Sequence, residues 1–229
     1  MDLLELRKDR GMYALCLVET WHDAESVCMR RLRADGFQIV ERSRPRVPSE
    51  TSTLTTNHGG VAIVSVPGVR LSEIKLSVNP ASFELLCAQV GAGSSTSVVV
   101  LIYRPGSKAV TSSFFDDLSD TLDCVIGRSD PIYVVGDLNV RLDRNDDASS
   151  RRLTELFDTY GLAVRPHAPT HACGGLLDVV ASRVDLTPPA VTVYDAGRVC
   201  PITNCSNGQF PSAGHHHRSC QWFVVRGTG

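Results

Sequence analysis

The sequence predicts a mixed-sheet α/β or α+β domain, and three observations carry that reading. Short apolar runs rich in Val and Ile recur through the first 197 of the 229 residues, bounded by Gly, Pro, Asn or Asp. Stretches with helical spacing lie between those runs. Hydrophobic residues make up 42% of the chain against 21% charged, enough for one full-sized core or two small ones.

In chain order, Leu3, Leu4 and Leu6 suggest a helix, and Met12 to Val18 is the first strand. Asp23 to Asp35 has helical spacing, whereas Arg42 to Thr56, with Pro45, Pro48 and many Ser and Thr, reads as a surface loop. Val61 to Val66 and Phe83 to Val90 read as a hairpin-like pair of strands, followed by the strand Val98 to Tyr103. Several of these runs are continuous rather than alternating, the pattern of strands buried on both faces. Phe114 to Ile126 is the next helix, with Ser112 or Ser113 as N-cap, and Ile132 to Val135 the next strand. Ser149 to Tyr160 puts Leu153, Leu156, Phe157 and Tyr160 on one helix face and stops at Gly161.

With 23 Lys plus Arg against 25 Asp plus Glu, the net charge is −2, which excludes a histone-like basic protein and an acidic disordered tail. Any nucleic-acid contact must therefore come from a local patch. Eight cysteines are sparse for a disulfide scaffold of this length. The opening MDLLELRKDR is charged and amphipathic, and Met12 to Val18 is too short for a signal-peptide core or a membrane span. Reduced thiols and an intracellular location, in cytoplasm or nucleus, are the expectation.

The averages conceal a break near residue 197. Residues 198–229 contain no Asp, Glu, Leu or Lys, yet hold three of the eight cysteines and three of the seven histidines. Removing their three arginines leaves 20 basic against 25 acidic residues, so residues 1–197 carry −5 and the tail +3. The sequence thus divides into residues 1–197 and an aberrant tail, 198–229.

The chemistry-bearing residues gather at the carboxyl ends of the apolar runs, where ligands meet loops in open sheets. Val18 leads into Glu19, Ile102 into Tyr103, and Val135-Gly136 into Asp137-Leu138-Asn139. Glu19-Thr20 has a plain reading as a helix start, with Thr20 capping through Glu25. Asp137 and Asn139 project together if the strand continues, an acceptor beside an amide suited to water activation and phosphate binding; otherwise they form an Asx turn. Tyr103 before Arg104-Pro105-Gly106 is either a strand-end aromatic packed on a turn or a phenol for a phosphate oxygen. His58-Gly59-Gly60 is most simply a turn using glycine's positive φ. Pro169-Thr170-His171 precedes Asp178, a buried acid for which histidine is a natural partner.

Taken together, Glu19-Thr20-Trp21, His58-Gly59-Gly60-Val61, Ile102-Tyr103-Arg104-Pro105, Gly136-Asp137-Leu138-Asn139 and Pro169-Thr170-His171 with Leu177-Asp178 resemble the endonuclease/exonuclease/phosphatase superfamily. The resemblance spans residues 1–197 and is nearest to the endonuclease domains of non-LTR retrotransposons. It implies two packed mixed β-sheets flanked by helices, a four-layer sandwich, and Mg²⁺- or Mn²⁺-dependent cleavage of DNA phosphodiesters. It further implies Glu19 as metal ligand, Asp137 as the residue that orients or activates water, and Asn139 and Tyr103 as phosphate holders. Asp178 would orient a histidine further on, Thr170 and His171 would touch the phosphate, and a fused reverse transcriptase would belong to the parent element. No membrane partner is implied.

Two elements of that family are missing from the sequence. Members begin with a strand carrying an active-site Asn, without which a sheet edge would be left uncovered. They end with Ser-Asp-His after a strand like Val191 to Gly197, where this chain continues Arg198-Val199-Cys200-Pro201-Ile202-Thr203. Codons permitted from the last base of Val199 onward spell Leu-Ser-Asp-His-Gln-Leu-Leu in the neighbouring frame, which makes the tail a candidate out-of-frame translation. A rival reading of the tail is a zinc module of Cys200, Cys205, His215 and Cys220, although Cys200 to Cys205 is wider than a usual ligand pair. The sequence therefore predicts an endonuclease impaired or inactive in this chain. The alternatives are a phosphatase of the same superfamily acting on inositol phosphates or lipids, and a catalytically dead nucleic-acid-binding remnant.

Overall fold

A computed structural model of the chain describes residues 12–21, 26–44, 59–144, 146–165, 177–185, 191–195 and 221–226. Its elements run β1 (Met12–Val18), α1 (Val27–Ala34), β2 (Gln38–Arg42), β3 (Val61–Ser65), β4 (Arg70–Glu73), β5 (Glu84–Ala92) and β6 (Ser95–Tyr103). They continue α2 (Ser112–Asp123), β7 (Ile132–Asp137), α3 (Ala148–Thr159), β8 (Leu162–Val164), β9 (Asp178–Arg183), β10 (Val191–Asp195) and β11 (Gln221–Arg226).

The strands form two packed sheets with flanking helices. One has five strands in the order β10-β11-β1-β3-β2, every pair antiparallel. The other has six in the order β4-β5-β6-β7-β9-β8, with β6 and β7 parallel and the remaining pairs antiparallel. A parallel pair needs a crossover connection, and α2 supplies it between β6 and β7.

The continuous apolar runs are explained by burial on both faces of the strands, in β1 and β3 of the five-stranded sheet as well as in the six-stranded one. Along β6, Val99, Leu101 and Tyr103 turn inward to meet Ala14, Cys16, Val18, Val61 and Ile63 of the other sheet. The alternate residues Val98, Val100 and Ile102 pack outward against Phe114, Leu118 and Leu122 of α2 and Leu153 and Phe157 of α3. α1 lies beside β2. The four cysteines among the described residues are free thiols. Burial pushes Cys16 and Cys87 up to about 12, so neither is a ready nucleophile.

Several local expectations are corrected. Residues 61–66 and 83–90 do not pair as a hairpin: β3 lies between β1 and β2, β5 between β4 and β6, and the two strands face each other across the sandwich. The N-cap of α2 is Thr111, whose Oγ1 lies 2.7 Å from the Ser113 hydroxyl. Ser26 caps α1 by accepting the Met29 N–H at 3.3 Å, so Thr20 is not the cap. α3 agrees within a residue: Asp147 Oδ1 accepts the Ser150 N–H at 2.9 Å, and Gly161 ends the helix at φ 63°. Most of the predicted 42–56 loop and the suggested helix around Leu3 to Leu6 lie outside the described residues.

Within the stretch set apart by composition, Gln221–Arg226 forms β11 between β1 and β10. β1 therefore has a hydrogen-bonded strand on each side. The registers Val18↔Val61, Glu84↔Tyr103, Tyr103↔Asp137 and Asp137↔Asp178 bring the carboxyl ends of β1, β6 and β7 to one rim of the sandwich.

Candidate active site

Tyr103, Asp137 and Asp178 stand in register on three adjacent strands, β6, β7 and β9, with Glu84 of β5 next in the row. Register partners share a face, and the two-residue period places this row on the side facing the other sheet, continuing Leu101, Val135 and Val180. Across the gap, Glu19 follows the last residue of β1, and the Tyr103 hydroxyl donates a hydrogen bond to its Oε1. Glu19, Tyr103, Asp137 and Asp178 are all buried, Asp178 fully. Burial first, then the negative charge and hydrogen bond of Glu19 and the charge of Asp137, hold the Tyr103 phenol well above the ordinary tyrosine range. Tyr103 is therefore a protonated donor throughout the neutral range.

The backbone around the row is locked. Among the described residues, the non-glycine positions with positive φ are Glu19 (53°), Trp21 (52°) and Asn139 (50°), all at this rim. Such conformations persist only where the surroundings impose them. The Thr20 and Trp21 N–H groups donate to the Gly60 and Gly59 carbonyls at 3.2 and 2.9 Å. Gly59 and Gly60 have φ of 127° and 89°, as the turn reading requires. Gly136, at φ 141°, lies so close to β6 that a Cβ there would sit 1.8 Å from the Ile102 carbonyl oxygen.

The strand does not continue through Asn139. β7 ends at Asp137, whose Oδ1 accepts the Asn139 N–H at 2.9 Å, so the pair forms the Asx turn. Asn139 Nδ2 donates to the Arg104 carbonyl at 2.8 Å. Arg104, named in the sequence only as part of a motif, is a buried clamp on this loop. Its Nε donates to the Leu138 carbonyl at 2.6 Å, one Nη to the Asn139 carbonyl at 2.8 Å, and the other to the Lys108 carbonyl at 2.7 Å. The planar fork suits three carbonyls better than an ammonium would.

Glu84 escaped sequence reasoning as well, because an acid at a strand start carries no local signal. Its Oε2 accepts the Gly60 N–H at 2.6 Å, and its Oε1 accepts Arg44 Nε at 2.5 Å. The Arg44 guanidinium stands 5.7 Å from the Tyr103 ring centroid. Of the sequence-predicted site residues, Glu19, Tyr103, Asp137, Asn139 and Asp178 thus meet at one rim, whereas Thr170 and His171 lie outside the described residues, as does His58. The zinc candidates Cys200, Cys205, His215 and Cys220 also lie outside them.

Fold and rim together define a class. The chain matches the Endonuclease/Exonuclease/phosphatase family over residues 2–226 and belongs to it. Among solved structures it resembles the 3′ phosphatase NExo from Neisseria bound to a product DNA hairpin, with 16% identity over 99% of this chain and 93% of that one and a TM-score of 0.59. It also resembles the catalytic domain of human Nocturnin with bound sulfate, at 14% identity, 93% and 80% coverage and a TM-score of 0.57. A third likeness is the endonuclease domain of TRAS1, a telomere-specific non-LTR retrotransposon, at 13% identity, 82% and 78% coverage and a TM-score of 0.51. At these identities the likeness is one of fold. By sequence, no curated protein matches the chain. No helix among the described residues is long and apolar enough to cross a membrane.

Proposed function

We propose that this chain is an endonuclease of the non-LTR retrotransposon type, a divalent-metal-dependent DNA phosphodiesterase whose catalysis is impaired. One observation carries the reading: Glu19, Tyr103, Asp137 and Asp178, distant in sequence, converge on a single rim between the sheets.

The donor chemistry fits a hard cation, Mg²⁺ or Mn²⁺. Glu19 and Asp137 offer carboxylate oxygens, and both act electrostatically on the Tyr103 hydroxyl. Mg²⁺ is ordinarily held by one or two carboxylates with water completing its shell. By the family resemblance, Glu19 is the residue that would hold the ion. When bound, the ion supplies neutralisation of charge developing on the phosphate.

The chain's own groups take the remaining roles. Asp137, oriented by the Asn139 N–H, is the acceptor for a proton of the attacking water. Tyr103 and Asn139 would turn a hydroxyl and an amide to the phosphate oxygens, Tyr103 exchanging its hydrogen bond to Glu19 for one to the phosphate. Asp178 would orient the histidine of the family's terminal Ser-Asp-His, which does not occur after Gly197 here, and by the same resemblance Thr170 and His171 would contact the phosphate. DNA is the substrate and partner, in keeping with the DNA hairpin bound by NExo, and a reverse transcriptase is fused to the domain in the parent element.

The impairment follows from the sequence after Gly197, where Ser-Asp-His does not occur. Removing one preorganised stabiliser of transition-state charge costs about a hundredfold or more in rate. The test is nicking of supercoiled plasmid in Mg²⁺ or Mn²⁺, with Glu19→Ala as control. Slow, metal-dependent nicking that vanishes in Glu19→Ala is the expected result, and robust turnover would refute impairment. Release of phosphate from small phosphomonoesters without nicking would favour the phosphatase reading, and DNA binding without any cleavage the inactive remnant. Sequencing gene and transcript across codons 197 to 210 decides the origin of the tail; nucleotides unable to spell Ser-Asp-His in the neighbouring frame would exclude a frame shift.

A further inference from the structure

We infer that Glu84 is a positioning residue for Glu19, acting across the two sheets through the Gly59-Gly60 turn. The inference rests on the reading of Glu19 as the metal-holding carboxylate. Its physical basis is a chain of contacts. Glu84 opens β5 of the six-stranded sheet, and its Oε2 accepts the N–H of Gly60, which leads into β3 of the other sheet. The carbonyls of Gly60 and Gly59 in turn receive the N–H groups of Thr20 and Trp21. Those bonds hold the chain just beyond β1, where Glu19 and Trp21 have left-handed φ of 53° and 52°.

A carboxylate at this point does more than neutralise an arginine. Arg44 occupies Oε1, and the second oxygen is spent on a backbone N–H belonging to the facing sheet. Glu84 is also the direct register partner of Tyr103, the residue that grips the Glu19 carboxylate. Residues 84 and 103, side by side on one sheet, therefore hold residues 60 and 19 of the other. One contact fixes the backbone path behind Glu19 and the other fixes its carboxylate. The turn leaves little slack, since a Cβ on Gly60 would lie 2.6 Å from the Thr20 hydroxyl oxygen. Without the Glu84 anchor the turn is free to shift, and Glu19 can relax out of its disfavoured backbone conformation.

Reach and charge separate this role from an ordinary ion pair. Glu84→Gln keeps a carbonyl oxygen within reach of the Gly60 N–H but removes the charge. Glu84→Asp keeps the charge beside Arg44 but draws the acceptor back by one methylene. In the full chain, Mn²⁺ titration followed by calorimetry is expected to show about tenfold weaker binding in Glu84→Asp and Glu84→Ala, the usual scale for an outer residue that orients a ligand. Glu84→Gln should stay within about threefold of wild type on the same scale. Equal Mn²⁺ affinity in wild type, Glu84→Asp and Glu84→Ala, or loss in Glu84→Gln with retention in Glu84→Asp, would overturn the inference. Amide exchange at Thr20 and Trp21 reads the same positioning without metal. It should quicken in Glu84→Asp and be preserved in Glu84→Gln, and unchanged exchange in both overturns the inference. Glu19→Ala tests the underlying reading separately: Mn²⁺ affinity in Glu19→Ala equal to that of wild type removes Glu19 as a ligand, while the exchange rates still decide whether Glu84 fixes residues 19–21.

Discussion

On the helix-facing side of the six-stranded sheet the core contains Phe83, Phe114, Phe115 and Phe157, whereas the buried side chains described between the sheets include no phenylalanine. Among the described residues the inter-sheet layer relies on Ala, Val, Ile, Leu and Cys, with Tyr103 and Tyr133 as its buried aromatics and Tyr13 packed against them. At the rim of this layer Tyr103 reaches Glu19 and Glu84 reaches Gly60 across the two sheets. Among the described residues, the helix-facing side buries the phenylalanines, while the inter-sheet side carries the polar rim contacts of Tyr103 and Glu84.

This contrast can be broken or sharpened experimentally. The largest effect is expected where both layers depend on one backbone approach. Gly136→Ala would put a Cβ 1.8 Å from the Ile102 carbonyl oxygen, destabilising the fold on the order of 4 kcal/mol; urea unfolding measures it, and a well-folded variant would contradict the tight β6–β7 pairing. Next, Phe157→Ala empties part of the helix-facing core and should lower unfolding free energy by about 3–5 kcal/mol. Mn²⁺ affinity of the folded fraction should be unchanged, and a parallel loss would show that the layers are not separable.

Arg104→Met falls between the two layers, because the guanidinium lies 5.7 Å from the Phe114 ring centroid and also binds the Leu138 and Asn139 carbonyls. Leaving those carbonyls without their donor should cost about 2–3 kcal/mol and reduce nicking beyond what the stability loss explains. Tyr103→Phe should be mildest, about 1.5 kcal/mol for one hydrogen bond to a carboxylate, and it carries a pH signature. Burial and Glu19 raise the Tyr103 phenol in the folded state. Its stabilising contribution is therefore whole below about pH 10 and is lost as pH rises above that value. Wild type should lose more stability than Tyr103→Phe between neutral and strongly alkaline pH, as urea midpoints at each pH will show.

Periodicity alone reveals the strands that carry both layers, because β1, β3, β5, β6 and β7 are long or wholly apolar. It misses β2 and β4, whose residues are largely half-buried or exposed, and β8, which is three residues long. Pairing is the harder matter. Residues 61–66 and 83–90 are neighbours in the chain and look like a hairpin, yet their hydrogen-bond partners come from elsewhere. Glu19, Tyr103, Asp137 and Asp178 are legible because each ends or begins an apolar run. Arg104 and Glu84 are not, since their importance lies in bonds to residues 34 and 24 positions away, which no local pattern encodes.

The seat of β11 has a consequence for synthesis. Met12 is in register with Arg226, so the strand that leads into Glu19 finds its second neighbour only after some two hundred further residues have been made. At ribosomal rates of about 5–20 residues per second, that flank of β1 waits for roughly ten to forty seconds with its amides and carbonyls unpaired. Pairing at such separation is also slow to nucleate. The nascent chain therefore relies on late closure by β11, and that flank of β1 is open to misassociation throughout the synthesis of the intervening residues.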